Sequence, residues 1–335
     1  MRTAELDYAL PQELIAQRPA DPRDSARLLV LDRASGEIRH RRFRDLPDEL
    51  AADDLLVVND TRVLPVRLRG RRESGGAVEL LLLEPRGADG YEAIARPYRR
   101  LRVGETVTIG ALELTIGDRL GDGRVAVRLA GPGTIEQALE TAGEVPLPPY
   151  IREPPADPSS YQTVYARAPG SAAAPTAGLH FTPHLWDELR RRFEVVAVTL
   201  AVGLDTFRPV AVDELADHRL HSERYAVSAA TRAAVDRALA AGRRVVAVGT
   251  TTVRVLETVQ ADPAVPPDGR TRLFVTPGFE FRATGAMVTN FHLPRSTLLA
   301  MVMAFAGVEL TAEAYRVAVT ERYRFYSFGD AMLIR

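Results

Sequence analysis

Residues 173–182 read AAPTAGLHFT, a stretch of small residues that ends next to a predicted helix. Small residues, a proline and a glycine allow its backbone to approach other groups closely, and His180 is its only titratable side chain. Thr182 and Pro183 then begin the amphipathic segment PHLWDELRRRF, with Thr182 predicted as the N-cap and Pro183 at the first helical position. A histidine delivered to a helix N-terminus suits a substrate that carries negative charge or needs a proton moved. A tight turn around a buried, hydrogen-bonded histidine explains the same residues.

The composition limits the available chemistry. The chain has no cysteine, which excludes thiolate nucleophiles, disulfides, cysteine-ligated zinc and iron–sulfur clusters. All 43 basic residues are arginine, so Schiff-base chemistry, a lysine general base and a P-loop are excluded as well. The net charge of -1 means that a nucleic-acid partner would have to be held by a local basic patch.

The sequence gives no indication of export or membrane insertion. The N-terminal run MRTAELDYALP carries acids where a signal peptide needs an apolar core. The most apolar run, residues 297–308, is too short to cross a bilayer. We therefore expect a cytoplasmic protein with no membrane contact.

Alternating strand-like and helix-like segments predict an α/β layer architecture for most of the chain. The apolar runs DLLVV, RVVAV and MVT are predicted strands, and Ser228 and Ser296 are predicted helix N-caps. LFVTPGF (273–279) and the aromatic-rich YRFYSFGDAMLI (323–334), interrupted at Gly329 and Asp330, are also predicted as strands.

The sequence pattern changes between about residues 71 and 133, where short apolar runs are separated by glycine, aspartate and proline. Strands with turns every eight to twelve residues are typical of a small barrel or sandwich. We therefore predict residues 1–70 as the first part of a main α/β domain, 71–150 as an inserted all-β domain and 151–335 as the second part of the main domain. The insert carries a basic tip at residues 96–102.

Three polar loops are the candidates for a catalytic site: PTAGLHF, the run His221 to Glu223, and TNFHLPRS. Loops at strand ends commonly form the site in α/β folds, so His180, His292, Glu223 or Asp60 would perform general acid/base catalysis. Asp60 lies in the polar run NDT, which is explained either by a turn or by a strand end at which Asp60 and Arg62 face a cleft.

An anion could bind where the segment AVGTTTVRVLE passes from strand to helix. The Gly-Thr-Thr turn presents free N–H groups at a helix start, with Arg254 about one turn further on, although many such turns look alike. No HExxH or similar spacing appears, so the sequence requires no metal, and His180 with His184 lacks a suitable acid for chelation. The absence of GxSxG disfavours a serine hydrolase but leaves a convergent triad open.

The run RHRRFR (39–44) places five basic groups around Phe43. Such a run suits phosphate contacts beside a ring that stacks on a base. An edge strand with alternating solvated arginines explains the same pattern.

Several long motifs together resemble the S-adenosylmethionine:tRNA ribosyltransferase-isomerase family of queuosine biosynthesis. They occur in order from residue 59 to residue 334, and LIAQRP and RDSARLLVLDR extend the resemblance toward the N-terminus. The motifs are NDTRVLPVRL, PLPPYI, YQTVYA, AAPTAGLHFT, HRLHSE, AVGTTTVRVLE, TNFHLPRSTLL and YRFYSFGDAMLI.

The resemblance implies a fold and a reaction. The fold is a mixed sheet forming a half-barrel flanked by helices, with a small all-β barrel inserted. The reaction transfers the ribosyl portion of S-adenosylmethionine to the aminomethyl group of a 7-deazaguanine at the tRNA wobble position. Epoxyqueuosine forms, and adenine and methionine leave. The implied protein is a monomer that uses S-adenosylmethionine as cosubstrate, with no tightly bound cofactor and no metal.

The resemblance also suggests residue roles. His180 or His292 takes a proton, Glu223 or Asp60 holds the sulfonium or the incoming amine, and Arg254 with two threonines holds the methionine carboxylate. The predicted substrate contacts are Arg62, Thr176, Gly178, His221, Gly249, Thr250, Thr251, Arg254, Asn290, Tyr323 and Asp330. The predicted RNA contacts are Arg41, Arg42, Arg99 and Arg100.

One segment departs from the family pattern. Where that pattern usually reads LHVGAGTF, this chain reads LAVGLDTF, so Ala201 stands in place of a histidine and Leu204 and Asp205 replace a small pair. If that histidine is catalytic, the departure predicts a slow, inactive or altered enzyme, with Asp205 as a candidate for part of the missing function. The alternatives are a different S-adenosylmethionine-dependent RNA transferase and a tRNA-binding homologue that has lost catalysis.

Overall fold

The structure is a computed structural model that describes residues 1–87, 89–153, 157–203 and 210–335. The chain divides into two compact units. The large unit contains Met1–Arg62, Pro148–Ala168 and Ala174–Arg335, and the barrel unit contains Val63–Leu147 and Pro169–Ala173. Leu204 and Asp205, where the sequence departs from the family pattern, lie outside the described residues.

The described residues form strands and helices throughout the chain. The strands are β1 (Arg27–Leu31), β2 (Ile38–Arg42), β3 (Leu55–Asn59), β4 (Thr61–Val63), β5 (Arg67–Arg72), β6 (Ala77–Pro85), β7 (Gly90–Arg96), β8 (Thr106–Ile109), β9 (Leu112–Gly121), β10 (Arg124–Ala130), β11 (Ala168–Ser171), β12 (Glu194–Leu200), β13 (Glu223–Val227), β14 (Val245–Val248), β15 (Asp268–Thr271), β16 (Ala286–Asn290) and β17 (Ala331–Ile334). The helices are α1 (Ile135–Ala142), α2 (Pro183–Arg192), α3 (Ala229–Ala240), α4 (Thr250–Val259), α5 (Thr297–Ala306) and α6 (Val308–Thr320).

A nine-stranded mixed sheet organises the large unit, in the order β15-β13-β12-β3-β14-β16-β17-β1-β2. The four adjacent strands β12, β3, β14 and β16 run parallel to one another. β13 pairs antiparallel with β12, and β17 pairs antiparallel with β16. The mixed sheet expected from the sequence resemblance is therefore confirmed.

The parallel strands are apolar along their whole length because both faces of the sheet are covered. In β3, Leu55 and Val57 belong to one buried cluster, which also contains apolar residues of α3 to α6. Leu56 and Val58 belong to a second cluster on the opposite face, which contains Leu185 of α2. The alternation follows from the two-residue period of a strand.

The barrel unit is a closed antiparallel barrel in the strand order β10-β7-β6-β5-β8-β9, and α1 follows β10. Alternating buried and exposed residues along its strands, as in Leu112–Gly121, fill the interior and leave polar side chains outside. The all-β insert predicted from short apolar runs and frequent turns is confirmed as a barrel.

Local capping signals in the sequence were reliable. Thr182 Oγ1 accepts a hydrogen bond from the N–H of Leu185, with Pro183 in the first turn of α2. Ser228 and Ser296 cap α3 and α5 through their hydroxyl groups in the same way. Each cap satisfies a backbone donor that the helix itself leaves unpaired.

Two predicted strands are wrong. Residues 273–279 are not a strand, because the N–H of Leu273 is bound by Thr271 Oγ1 and its carbonyl accepts Arg254 Nε, so neither group joins the sheet ladder. Of residues 323–334 only β17 is a strand. In the aromatic part Tyr326 has a φ of 73°, which interrupts an extended backbone.

Among the described residues, no single helix is long and apolar enough to span a membrane. The pair α5 and α6, bent by 115° at their junction, meets that criterion only by combined length and composition.

Candidate active site

A cleft lies at the edge of the large sheet where the parallel strands end. Carboxyl ends of parallel strands meet at one edge, so the residues after β3, β14 and β16 converge there. Because β13 runs antiparallel to β12 and β17 runs antiparallel to β16, both strands begin at this same edge. The cleft is narrow, with a volume of about 30 Å³ available to the centre of a water-sized group. Its lining residues are Ala174, Pro175, Thr176, Ala177, Val202, Gly249, Thr250, Thr251, Thr289, Asn290, His292 and Leu298.

His292 is the titratable side chain that lines the cleft. Its Nε2 lies 2.7 Å from Thr289 Oγ1, while its backbone N–H donates to Tyr315 Oη and its carbonyl accepts from Tyr8 Oη. Among the described residues, no group forms a hydrogen bond with its Nδ1. Burial lowers the pKa of His292 to about 3, so its imidazole is neutral at neutral pH. With one nitrogen held and the other free, this neutral imidazole can accept a proton, although the lowered pKa makes it a weaker base than an ordinary histidine.

His180 is buried beside the cleft but does not line it. Its ring centroid lies 4.8 Å from that of Phe43, and its Nε2 lies 3.1 Å from Asn290 Nδ2. Burial, with smaller contributions from Arg324 and Arg23, lowers the pKa of His180 to about 3. His180 is therefore a neutral imidazole whose Nε2 accepts a hydrogen bond from an amide.

Asn290 connects the two histidine-bearing segments. It is 2% exposed and lines the cleft at the end of β16. Its Nδ2 donates to His180 Nε2 and to the carbonyl of Tyr326, at 3.1 Å each. Its Oδ1 is buried and has no hydrogen-bond partner among the described residues. An unpaired buried carbonyl is unusual and requires an explanation.

The predicted Gly-Thr-Thr turn forms one wall of the cleft. Gly249 has a φ of 92°, a conformation that favours glycine, and the turn leads directly into α4. Thr251 Oγ1 accepts a hydrogen bond from Asn59 Nδ2 at 3.1 Å, which fixes the turn to the end of β3. Thr250 lies at the start of the helix, where backbone N–H groups and the helix dipole favour an anion.

Asp60 follows β3 at the same sheet edge but does not line the cleft. One carboxylate oxygen accepts from Thr199 Oγ1 at 2.6 Å, and the other lies 2.9 Å from Arg167 Nη2. The side chain is buried, whereas Arg167 is 81% exposed. The Asp60 carboxyl group is therefore held by one hydroxyl and one exposed cation.

Glu223 and Arg254 form a buried ion pair near the start of β13 and within α4. Arg254 Nε also donates to the carbonyl of Leu273, and Glu223 Oε1 accepts from the N–H of Gly203. Arg254 Nη2 has no described partner. Since both charges are largely satisfied by each other, removing either one would leave the other buried without compensation.

Three other predicted substrate contacts have structural partners instead. Gly178 is buried, and an added Cβ would lie 2.0 Å from Tyr165 Oη, so glycine is required by packing. Tyr323 is fully buried, with its Oη 2.6 Å from His40 Nδ1. Asp330 accepts from the N–H groups of Arg27 and Arg324, which joins β17 to β1. None of these three lines the cleft.

The remaining predicted contacts divide between the cleft and its surroundings. Thr176 lines the cleft and is half-buried. Arg62 is half-buried and His221 is exposed; both have interaction partners and neither lines the cleft. Among the described residues, no group of three or more histidine, aspartate or glutamate side chains is arranged to hold a metal ion.

The basic run on β2 is an edge strand. Arg41 Nε lies 2.9 Å from Glu49, and Arg42 Nη1 donates to the carbonyl of Ser25. Phe43 is fully buried against His180, so its expected role as a base-stacking ring is wrong. The edge-strand explanation of this run is confirmed, because β2 ends the nine-stranded sheet.

The barrel unit contains a separate basic cleft with about 1250 Å³ of empty space, counting open solvent. Arg72 and Glu105 pair at 2.8 Å within it, and the cation of Arg119 lies 5.2 Å from the Tyr98 ring centroid. Arg99 and Arg100, both predicted RNA contacts, are exposed and have no carboxylate partner among the described residues. The residues that we call the basic cleft are Arg72, Glu73, Ser74, Arg99, Arg100, Leu101, Arg102, Val103, Gly104, Glu105 and Arg119.

Sequence reasoning missed several residues that build the cleft. Thr289 lies within the quoted TNFH motif, and its position three residues before His292 was an available signal. Tyr8 and Tyr315 hold the backbone of His292 from 284 and 23 residues away, and no local pattern reveals such contacts. Ala174 and Pro175 were quoted in the opening stretch but carry no reactive group.

Fold and cleft together define the class: an α/β enzyme whose site is built from imidazole, amide and hydroxyl groups at the carboxyl edge of parallel strands. A sequence profile described as "Queuosine biosynthesis protein" matches residues 3–334. The chain belongs to this family.

Relatives of known name cover the whole chain. A protein of Rubrobacter xylanophilus is 55% identical over 100% of this chain and 98% of its own length. A protein of Moorella thermoacetica is 53% identical, with both chains fully covered. Both are named S-adenosylmethionine:tRNA ribosyltransferase-isomerase. The crystal structure of S-adenosylmethionine tRNA ribosyltransferase from Thermotoga maritima is 37% identical with a TM-score of 0.58, covering 99% of this chain and 100% of that one.

Proposed function

We propose that this protein is an S-adenosylmethionine:tRNA ribosyltransferase-isomerase. It transfers and isomerises the ribosyl moiety of S-adenosylmethionine onto 7-aminomethyl-7-deazaguanine at the tRNA wobble position. The products are epoxyqueuosine-tRNA, adenine and methionine. The observation that carries this proposal is full-length identity above 50% to two relatives that bear this name.

The chemistry needs a base, and the cleft supplies one. The sulfonium of S-adenosylmethionine acidifies the neighbouring 5′-carbon, so that a base can remove its proton. Loss of this proton opens the ribose ring by breaking the C4′–O4′ bond, and adenine leaves as C1′ becomes an aldehyde. The amine of the deazaguanine adds to C4′ and gives up a proton, C5′ then bonds to C1′, and the C1′ oxygen displaces methionine from C5′ to form the epoxide. We assign the proton transfer to His292 rather than His180, because His292 lines the cleft with Nδ1 unoccupied, whereas His180 is engaged by Asn290.

The methionine carboxylate is assigned to the start of α4. Gly249, Thr250 and Thr251 line the cleft there, and a helix N-terminus favours an anion. Arg254 lies one turn further on and adds positive charge, while Glu223 balances it. In this arrangement Glu223 and Asp60 act on the cationic sulfonium or the incoming amine through their field, because each already has a cationic partner.

The RNA is assigned to the exposed arginines. Arg99 and Arg100 in the basic cleft are free of carboxylates and suit phosphate groups. Arg42, on the large unit, is exposed and also suits a phosphate group, whereas Arg41 is already paired with Glu49 and contributes less. The partner is a tRNA with a 7-deazaguanine wobble base.

The proposal includes several further points that follow from the same resemblance. The protein acts as a cytoplasmic monomer, with S-adenosylmethionine as a cosubstrate and no tightly bound cofactor, metal or membrane partner. The all-β domain, predicted at residues 71–150, is an insertion in the main domain formed by residues 1–70 and 151–335.

The same cleft could serve two alternative functions. A different S-adenosylmethionine-dependent RNA transferase would transfer the methyl group, and a homologue without catalysis would only bind tRNA. Ala201, which is half-buried and donates its N–H to the carbonyl of Arg224, is the feature that favours reduced catalysis. The names and full-length identity of the relatives favour the ribosyl transfer.

Labelled S-adenosylmethionine and an undermodified tRNA separate these functions. S-adenosylmethionine labelled separately in ribose and methyl is incubated with protein and tRNA carrying 7-aminomethyl-7-deazaguanine. Ribosyl label on RNA with adenine release supports the proposal, and methyl label on RNA contradicts it. Binding of both substrates without turnover identifies the inactive homologue. A tRNA with guanine at the wobble position is the control and should receive no label.

A further inference from the structure

Asn290 is held in one orientation by two acceptors. Its Nδ2 contacts both the carbonyl of Tyr326 and His180 Nε2 at 3.1 Å, so both N–H bonds of the amide are used. Turning the amide over would place two oxygens against each other at Tyr326. The contact therefore fixes which atom is oxygen.

The remaining atom, Oδ1, has nothing to bind within the described protein. It is buried and without a hydrogen-bond partner, although Asn290 itself lines the cleft and is only 2% exposed. Buried carbonyl groups without a donor cost free energy and are rare in folded proteins. A buried acceptor without a donor, on a residue that lines a cleft, is explained by a ligand that enters the cleft and brings its own donor.

The ligand that would enter has a suitable neutral donor. Under the proposed function the cleft receives S-adenosylmethionine, with its carboxylate at the start of α4. Its ammonium and sulfonium groups would be better matched by carboxylates, whereas a neutral amide oxygen suits an uncharged N–H. The amino group of the adenine ring is such a donor.

We propose that Asn290 Oδ1 accepts a hydrogen bond from the adenine amino group of S-adenosylmethionine, and that His180 is a positioning residue that orients the Asn290 amide. This inference rests on the proposed function, since it names one contact of the same substrate. His180 remains neutral because of its lowered pKa, so its Nε2 keeps the lone pair that Asn290 needs. His180 then takes no proton from the substrate.

A substrate analogue tests the contact without any mutation. The 6-oxo analogue of S-adenosylmethionine, S-inosylmethionine, presents an oxygen where the amino group stood, so that two acceptors face each other. Calorimetry is performed on the full-length protein bound to tRNA with guanine at the wobble position, which prevents turnover. The wild type should bind S-adenosylmethionine about tenfold or more tightly than the analogue. Equal affinity would overturn the inference.

Variants assign the discrimination to residues. Asn290→Ala should remove most of the preference for the amino compound, even where its overall affinity also falls. Leu298→Val is the matched control, because Leu298 lines the same cleft without polar atoms, and it should weaken both ligands by the same factor. Retention of the full preference in Asn290→Ala would contradict the assignment.

The role of His180 is tested by two replacements. His180→Gln retains an acceptor and should keep much of the preference and of kcat, whereas His180→Phe should lose the preference. If both variants instead kept the preference but lost kcat about a hundredfold or more, His180 would be the base and the positioning role would be wrong. Failure of the wild type to bind S-adenosylmethionine at all would overturn the proposed function itself, which distinguishes the two failures.

Discussion

The cleft of the large unit and the basic cleft of the barrel unit are opposite in character. The first contains buried imidazole, amide and hydroxyl groups, and both of its nearby histidines have pKa values lowered to about 3. The second is lined by the exposed arginines Arg99, Arg100, Arg102 and Arg119, together with Arg72, which is largely buried and pairs with Glu105 at 2.8 Å. A site of buried, uncharged groups suits proton transfer, whereas an open cationic site suits phosphate groups.

This difference predicts which step of the reaction each kind of substitution should change. A buried group that contacts the reacting atoms changes the rate of the chemical step. An exposed arginine that contacts phosphate changes the affinity for RNA and its salt dependence. The two clefts therefore predict separable effects on kcat and on KM for tRNA.

The largest effect is expected at His292. His292→Gln removes the free Nδ1 from the cleft and should lower kcat by about a hundredfold or more, the usual contribution of a general base. Steady-state adenine release at saturating tRNA measures this. His184→Gln alters an exposed histidine and should leave kcat unchanged. Normal turnover by His292→Gln would remove His292 from the proposed mechanism.

Gly178 tests how closely the large unit is packed around its histidine loop. Gly178→Ala would place a Cβ 2.0 Å from Tyr165 Oη and 2.8 Å from Thr163, so the free energy of unfolding should fall by roughly 1–3 kcal/mol. Gly76→Ala in the barrel meets no atom closer than 3.8 Å and should have little effect. Chemical denaturation measures both, and combining Gly178→Ala with Tyr165→Phe should recover part of the loss. Equal stability of both alanine variants would contradict this packing.

The two buried histidines predict a pH-dependent stability. Their folded pKa of about 3 lies below the ordinary histidine value of 6.5, so the unfolded chain binds more protons between these values. The free energy of unfolding should therefore fall as pH decreases from 6.5 toward 3, by up to about 1.4 kcal/mol per pH unit for each histidine. Denaturation of His180→Gln and His292→Gln across this range should show shallower slopes than the wild type, with His184→Gln as control. Unchanged slopes would mean that these histidines ionise normally.

The smallest effect per residue is expected in the basic cleft. Arg99→Gln and Arg100→Gln should each raise KM for tRNA severalfold with kcat unchanged. If each arginine binds one phosphate, the slope of log affinity against log salt should decrease by about 0.7–0.9 for each. Arg128→Gln, on the barrel but outside the basic cleft and 75% exposed, is the matched control. An equal effect of Arg128→Gln would show that the cleft has no special role.

Much of the fold could be predicted because its signals are local. The apolar strands, the caps at Thr182, Ser228 and Ser296, and the frequent turns of the barrel all depend on neighbouring residues. The predicted strand at 273–279 failed because the side chains of Thr271 and Arg254 bind the backbone there. Arg254 is nineteen residues away along the chain, beyond the reach of a local pattern.

The sequence predicted which loops form the candidate site but not which of their side chains line the cleft. His292 and Asn290 were both named, yet which histidine lines the cleft depends on tertiary packing by Phe43 and Tyr315. Phe43 was expected to be exposed because of the arginines around it, but it follows β2 and begins a short 3₁₀ helix, where its side chain is fully buried against His180. Pairing of Arg41 with Glu49 likewise depends on a contact that charge counts do not reveal.

Nuclear magnetic resonance of labelled histidines tests directly whether S-adenosylmethionine enters the cleft beside His292. The chain contains only six histidines, so the full-length protein labelled with ¹⁵N-histidine gives few signals, which single substitutions assign. Addition of S-adenosylmethionine to the protein with guanine-containing tRNA should shift the His292 ring signals most, and leave those of exposed His184 unchanged. Shifts confined to His218 and His221, with His292 unaffected, would contradict the account.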